Sequence, residues 1–72
     1  MTKLGEYLNK NSVNKSEIAR KTGINRPRIS ELSTKPSAKL RAEELYRIAL
    51  AIDTSPCDLL EYIYGDIELG KE

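Results

Sequence analysis

The chain has no histidine and one cysteine among its 72 residues. With a lone Cys57 there is no intramolecular disulfide framework, and without His the usual zinc-finger ligand sets are missing. No metal or other cofactor is expected, and Cys57 reads as an inert, partly buried thiol. The same absences leave a poor catalytic inventory: the thiol has no base partner, and the serines sit at cap or loop positions that their backbone chemistry explains. Glycine is scarce, and none of the four belongs to a glycine-rich phosphate loop. Glu43 with Glu44, and Asp58 with Glu61, are carboxylate neighbours in the chain, but each reads as a helix-start or solvated-face charge. No catalytic residue is expected. Long apolar runs are missing too; none approaches the ~20 residues that span a bilayer, and the N-terminus shows no signal-peptide core. The expected compartment is the cytoplasm, without membrane contact. A chain this short buries roughly 60% of its unfolded surface, which suits one domain and leaves little room for a deep cleft.

What the chain has is charge, unevenly placed. Net charge is only +1. Residues 1 to 41 carry ten Lys and Arg against Glu6, Glu17 and Glu31, whereas residues 42 to 72 carry Arg47 and Lys71 against eight acids. A basic half and an acidic half are what a small domain with one polyanion-binding face shows, although a solvated basic stretch accounts for the same count.

The most informative stretch is Asn14 to Leu32, NKSEIARKTGINRPRISEL. Asn14 with Glu17 three residues on is an Asn variant of the capping box and predicts a helix start. Ile18 and Ala19 point one way, Lys15, Arg20 and Lys21 elsewhere, and Gly23 supplies the left-handed residue that ends the helix. Asn25 then caps a second helix, from about Arg26 to Leu32, in whose first turn Pro27 is tolerated because its missing N–H would have no partner. Ile24, Ile29 and Leu32 form the inward stripe. Pro27, Ser30, Glu31 and Thr34 face outward, with Arg26 and Arg28 on the flanks. A polar helix face between guanidinium groups suits a DNA major groove.

In the rest of the chain, Leu4, Tyr7 and Leu8 predict a helix over Thr2 to Lys10, in which Gly5 costs roughly 1 kcal/mol relative to Ala. Residues 33 to 39, STKPSAK, read as an exposed loop whose lysines can meet phosphates. Leu45, Ile48, Ala49 and Ile52 predict a helix over Ala42 to Ile52, with Glu43 and Glu44 complementing its dipole. Ser55, Pro56 and Asp58 start a fifth helix carrying Leu59, Leu60 and Ile63. Beyond it, Tyr62, Tyr64, Ile67 and Leu69 are many apolar groups for a terminus, so residues 65 to 72 read either as a dimer contact or as a frayed tail.

Ala19 in the first helix, Gly23 in the turn, and Ile18, Ile24, Ile29 and Leu32 around them resemble the lambda-repressor and Cro-like helix-turn-helix regulators. The likeness extends over about residues 4 to 63, through IALAIDTSPCDLL. Thr22 stands where an aliphatic residue is commoner, Pro27 where a polar DNA-contacting side chain is frequent, and Asp53 where a turn glycine is usual. The resemblance implies an all-α, compact five-helix DNA-binding domain over residues 1 to 64, binding double-stranded DNA as a small transcriptional regulator and a homodimer. Arg26, Ser30 and Glu31 are then the candidate base readers. Asn14, Lys15, Asn25, Arg28 and Lys35 are the candidate backbone contacts. For Glu31 an ion pair with Arg28 one turn earlier is an equal alternative. A second reading keeps the fold but makes the chain a protein-interaction module, such as an antitoxin or a mobile-element accessory protein with a cognate protein partner, for which DNA binding is secondary.

Overall fold

Each helix begins at a residue in extended conformation, and at the starts of the first three that residue's own side chain accepts from a free N–H of the first turn. The computed structural model describes residues 1 to 70. Over them the order is α1 (Lys3–Lys10), α2 (Lys15–Thr22), α3 (Arg26–Thr34), α4 (Ala42–Ala51) and α5 (Pro56–Tyr64), with no strand among the described residues. Residues 71 and 72 of the tail lie outside that description.

The Asn14 carboxamide oxygen accepts from the N–H of Ser16 at 2.8 Å and of Glu17 at 3.3 Å, which starts α2. Only half of the expected box forms, because the Glu17 carboxylate pairs with Arg20 one turn on. Gly23 closes α2 at φ 80°, and its N–H bonds the Ala19 carbonyl. Thr22, where an aliphatic residue is commoner, uses its hydroxyl. Its buried hydroxyl donates to the Ile18 carbonyl at 2.7 Å and accepts from the Ile24 N–H at 3.1 Å, so it bonds both sides of the turn. At the turn between α4 and α5, Asp53 holds a left-handed backbone at φ 55°.

α3 runs two residues beyond its expected end at Leu32. Ser33 and Thr34 send their hydroxyls back to the carbonyls of Ile29 and Ser30, both at 2.8 Å, and so stay helical where composition suggested loop. At the start of α5, Ser55 takes the cap position without a side-chain bond, and Pro56 follows at the first helical position.

The core is formed by Leu4 and Leu8 of α1, Ile18 of α2, Ile29 and Leu32 of α3, Leu45, Ile48 and Ala49 of α4, and Leu59 of α5. Each buried Leu or Ile contributes about 1.5–3 kcal/mol. α3 packs against α1 and α2, while α4 lies on α2 and α5. The Tyr7 and Tyr62 rings meet edge to face, 4.9 Å between centroids, joining α1 to α5. Cys57, expected to be partly buried, is exposed, because the buried position of the α5 stripe falls on Leu59.

Candidate nucleic-acid interface

With Ile29, Leu32 and Ser33 buried, α3 presents its other side outward. Asn25 caps it, its side-chain oxygen accepting from the Arg28 N–H at 2.9 Å, and Pro27 sits in the first turn. The cap spends the carboxamide oxygen of Asn25 and leaves its NH2 as the group available to a phosphate. Asn14 is in the same state at the start of α2. Both helix starts carry the partial positive charge that favours an anion.

Asn25, Arg28, Ser30, Glu31 and Lys35 surround one shallow concavity on this side, together with Pro27 and Thr34. Five of the eight candidate residues are therefore brought together. Arg26 stands outside the concavity, exposed, and among the described residues its side chain has neither a hydrogen-bond nor an ion-pair partner. Lys15 is half-buried beside Ser33 and Thr34, at the far end of α3. Asn14 lines a separate cleft with Lys21, Asp53 and Thr54.

Arg28, expected to hold DNA backbone, has internal partners instead. Its Nε donates to Glu44 Oε2 at 2.9 Å and one terminal nitrogen to Glu44 Oε1 at 3.0 Å, the bidentate fork of an arginine–carboxylate pair. The same nitrogen donates to the Lys39 carbonyl at 2.8 Å, and the other to Glu31 Oε1 at 2.9 Å. The ion pair weighed for Glu31 from its spacing is thus formed. Glu44 is 8% exposed and also accepts from the Arg41 N–H at 2.9 Å. The Arg28 guanidinium holds the Glu44 carboxyl below its ordinary range, helped by the Arg41 N–H and opposed by burial. Glu44, first of all, and then Glu31 hold Arg28 in its charged form.

Two residues of this arrangement were not singled out from the sequence. Glu44 read as a plain helix-start charge, since its partner lies 16 residues away and no local spacing reveals it. Arg41 precedes α4 with its guanidinium exposed, paired to Glu43 only at 3.8 Å, and extends the basic loop that holds Lys35 and Lys39. Farther back, Arg47 of α4 donates to the Thr22 carbonyl at 3.4 Å, near the end of α2.

The arrangement can present guanidinium, hydroxyl and carboxylate groups to base edges, flanked by lysines and helix starts that suit phosphates. Among the described residues no His, Cys, Asp or Glu cluster forms a metal site, and no helix is long and apolar enough to cross a membrane. No curated protein and no solved structure matches the chain. A family model, the Cro/C1-type HTH DNA-binding domain, matches residues 3–64, a span that contains all five helices. The capped α2, the glycine turn and the outward face of α3 thus belong to a DNA-binding chain of the lambda-repressor and Cro-like helix-turn-helix family.

Proposed function

We propose that the chain is a small transcriptional regulator that binds duplex DNA sequence-specifically, with α3 as the recognition helix in the major groove and residues 1 to 64 as the binding domain. What supports this reading above all is Arg26 at the start of α3, without a side-chain partner among the described residues, on the flank of the outward face that carries Ser30 and Glu31. Arginine reads guanine through two parallel bonds, and a guanidinium without internal partners is free to make them. Lys15, Lys35 and the amide groups of Asn14 and Asn25 serve the phosphate rows. The place of action is the cytoplasm.

Selection of bound sequences from a random duplex pool tests this directly. Enrichment of one short motif is the expected result; recovery of unrelated sequences would refute base readout. Affinity should also fall steeply with salt, because several Lys and Arg displace counterions, and a flat response would remove the phosphate contacts.

The proposed assembly is a symmetric homodimer on a partly palindromic site. Supporting it, Leu40, Leu45, Tyr46, Leu60 and Tyr64 line an apolar groove between α4 and α5, and Tyr46 and Leu60 are 55% and 46% exposed. Ile67 and Leu69 of the tail are exposed as well, although Asp66 is tied to Lys3 of α1 at 2.6 Å. The same apolar groups favour the second reading, a cognate protein partner. Sedimentation of the purified chain separates the two: self-association supports the dimer, whereas a monomer at high concentration supports the partner.

A further inference from the structure

Arg26 and Arg28 are two residues apart on one helix, yet the side chain of the first has no partner among the described residues and the second uses four of its five N–H groups inside the domain. A phosphate bound to Arg28 would have to take its one remaining N–H or displace Glu31, the Lys39 carbonyl or the buried Glu44. Displacing Glu44 would leave it with a single donor, the Arg41 N–H, at a position that water hardly reaches. Through Glu44 and Lys39 the guanidinium joins three segments: the first turn of α3, the loop after it and the start of α4. Among the described residues α3 and α4 share no other ion pair, so this fork is the ionic tie that resists rotation of α3 about its own axis on that side.

Arg28 also fixes Glu31. One carboxylate oxygen of Glu31 is held at 2.9 Å, and the other has no partner among the described residues. An ionised carboxylate only accepts, so that free oxygen can bond the exocyclic amino group of a base and is repelled by the oxygen and N7 acceptors of the alternatives. We propose that Arg28 is a positioning residue, locked by Glu44, that aims Glu31 at an amino group on a major-groove base edge, and that Glu31 rather than Arg28 touches DNA. The proposal rests on the reading of α3 as the recognition helix.

The test compares Arg28→Met, Glu44→Gln and Glu31→Gln with the parent on the selected duplex and its single-base variants, across a series of salt concentrations. All three substitutions should lose about tenfold or more of the preference at one and the same base pair. The salt slope of each should match the parent, because no phosphate contact is removed. A merely stabilising bridge would instead weaken all duplexes alike. Glu44→Gln is the most telling, since it removes a negative charge from a protein that binds a polyanion, and simple electrostatics would tighten binding. If Arg28→Met lowers the slope by about 0.9 and weakens all sequences equally, Arg28 is a phosphate contact and the proposal fails. It fails too if Glu44→Gln keeps the full preference, a result that stands even where Arg28→Met does not fold. A parent that selects no sequence would overturn the recognition-helix reading and this proposal together, whereas a selective parent with equally selective variants overturns this proposal alone.

Discussion

The helix that carries the site is held at its two sides by opposite physics. Against α1 the contact is close and uncharged. The Ser33 carbonyl accepts from the Thr2 N–H at 3.0 Å, the Thr2 hydroxyl donates to the Leu32 carbonyl at 2.7 Å, and Gly5 leaves the room that lets the chains approach. Against α4 the contact is ionic, the Arg28 guanidinium forked onto the Glu44 carboxylate. A steric contact of the first kind fixes distance and tolerates no added atom. An ionic fork fixes orientation and responds to pH and to the loss of a single charge. Position and aim of α3 are thereby set by separate groups, which makes them separable by mutation.

The steric side is expected to show the largest effect. A Cβ on Gly5 would stand 2.1 Å from the Ser33 carbonyl oxygen and 2.7 Å from Met1 Cγ; the methionine can move, but the carbonyl is held in α3. Gly5→Val should cost about 3 kcal/mol or more in urea unfolding, with DNA binding falling in parallel. Gly5→Ala is the sharper probe, because helix propensity alone would stabilise it by about 1 kcal/mol. An alanine variant more stable than the parent would mean that the approach of α1 to α3 is looser than described.

Next in size is Gly23, where nothing lies within 4 Å of an added Cβ and only the positive φ matters. Gly23→Val should cost more than ~1 kcal/mol through backbone strain, and Gly23→Asn should recover much of it, since Asn tolerates the left-handed region. The two glycines can be told apart in this way: a crowded site rejects every side chain, a strained one rejects β-branched residues most. Equal melting temperatures for Gly23→Val and the parent would remove the turn from the account of α3.

The ionic side should appear in acid. Arg28, and after it the Arg41 N–H, hold the Glu44 carboxyl below the ordinary 4.5. Because the folded value is the lower one, its stabilisation is complete above that pH and is lost as pH falls through the lowered value. Urea midpoints taken from about pH 6 down to about pH 3 should fall less for Glu44→Gln than for the parent. Parallel curves would show that the fork contributes nothing to the acid limb. The Gly5 contact, which contains no titrating group, should leave the shape of this curve untouched.

These three cases also show how far the sequence could be read. The start of α3 was legible because Gly23, Asn25 and Pro27 act within a few residues of one another, where cap and turn chemistry is local. The inward stripe was legible for the same reason, and Ile29 and Leu32 are buried as their spacing predicts. Gly5 was read only as a defect in helix propensity, because the carbonyl it accommodates belongs to Ser33, 28 positions along the chain. Arg28 was read as a phosphate contact because a guanidinium beside an outward face is what DNA binding asks for, and its pairing with Glu44 was not legible because Glu44 becomes a neighbour only through folding. What spacing could not supply was which of two similar arginines would find a carboxylate.

Arg26 should have the smallest effect on stability and a selective one on binding. Its side chain is exposed, off the inward stripe, and without a partner among the described residues, so Arg26→Ala should unfold within ~0.5 kcal/mol of the parent. Pro27 beside it has no N–H or side-chain donor, and Arg28 is committed to Glu44, which leaves Arg26 as the guanidinium in the first turn free to meet a base. Titrations of Arg26→Ala against the selected duplex and its single-base variants, at one fixed salt concentration, should lose roughly 1–3 kcal/mol of discrimination at one base pair per half-site. Binding to unrelated duplexes should weaken far less. If all sequences weaken by one common factor, Arg26 is a phosphate contact, and base readout passes to Ser30, Glu31 or the shape of the DNA.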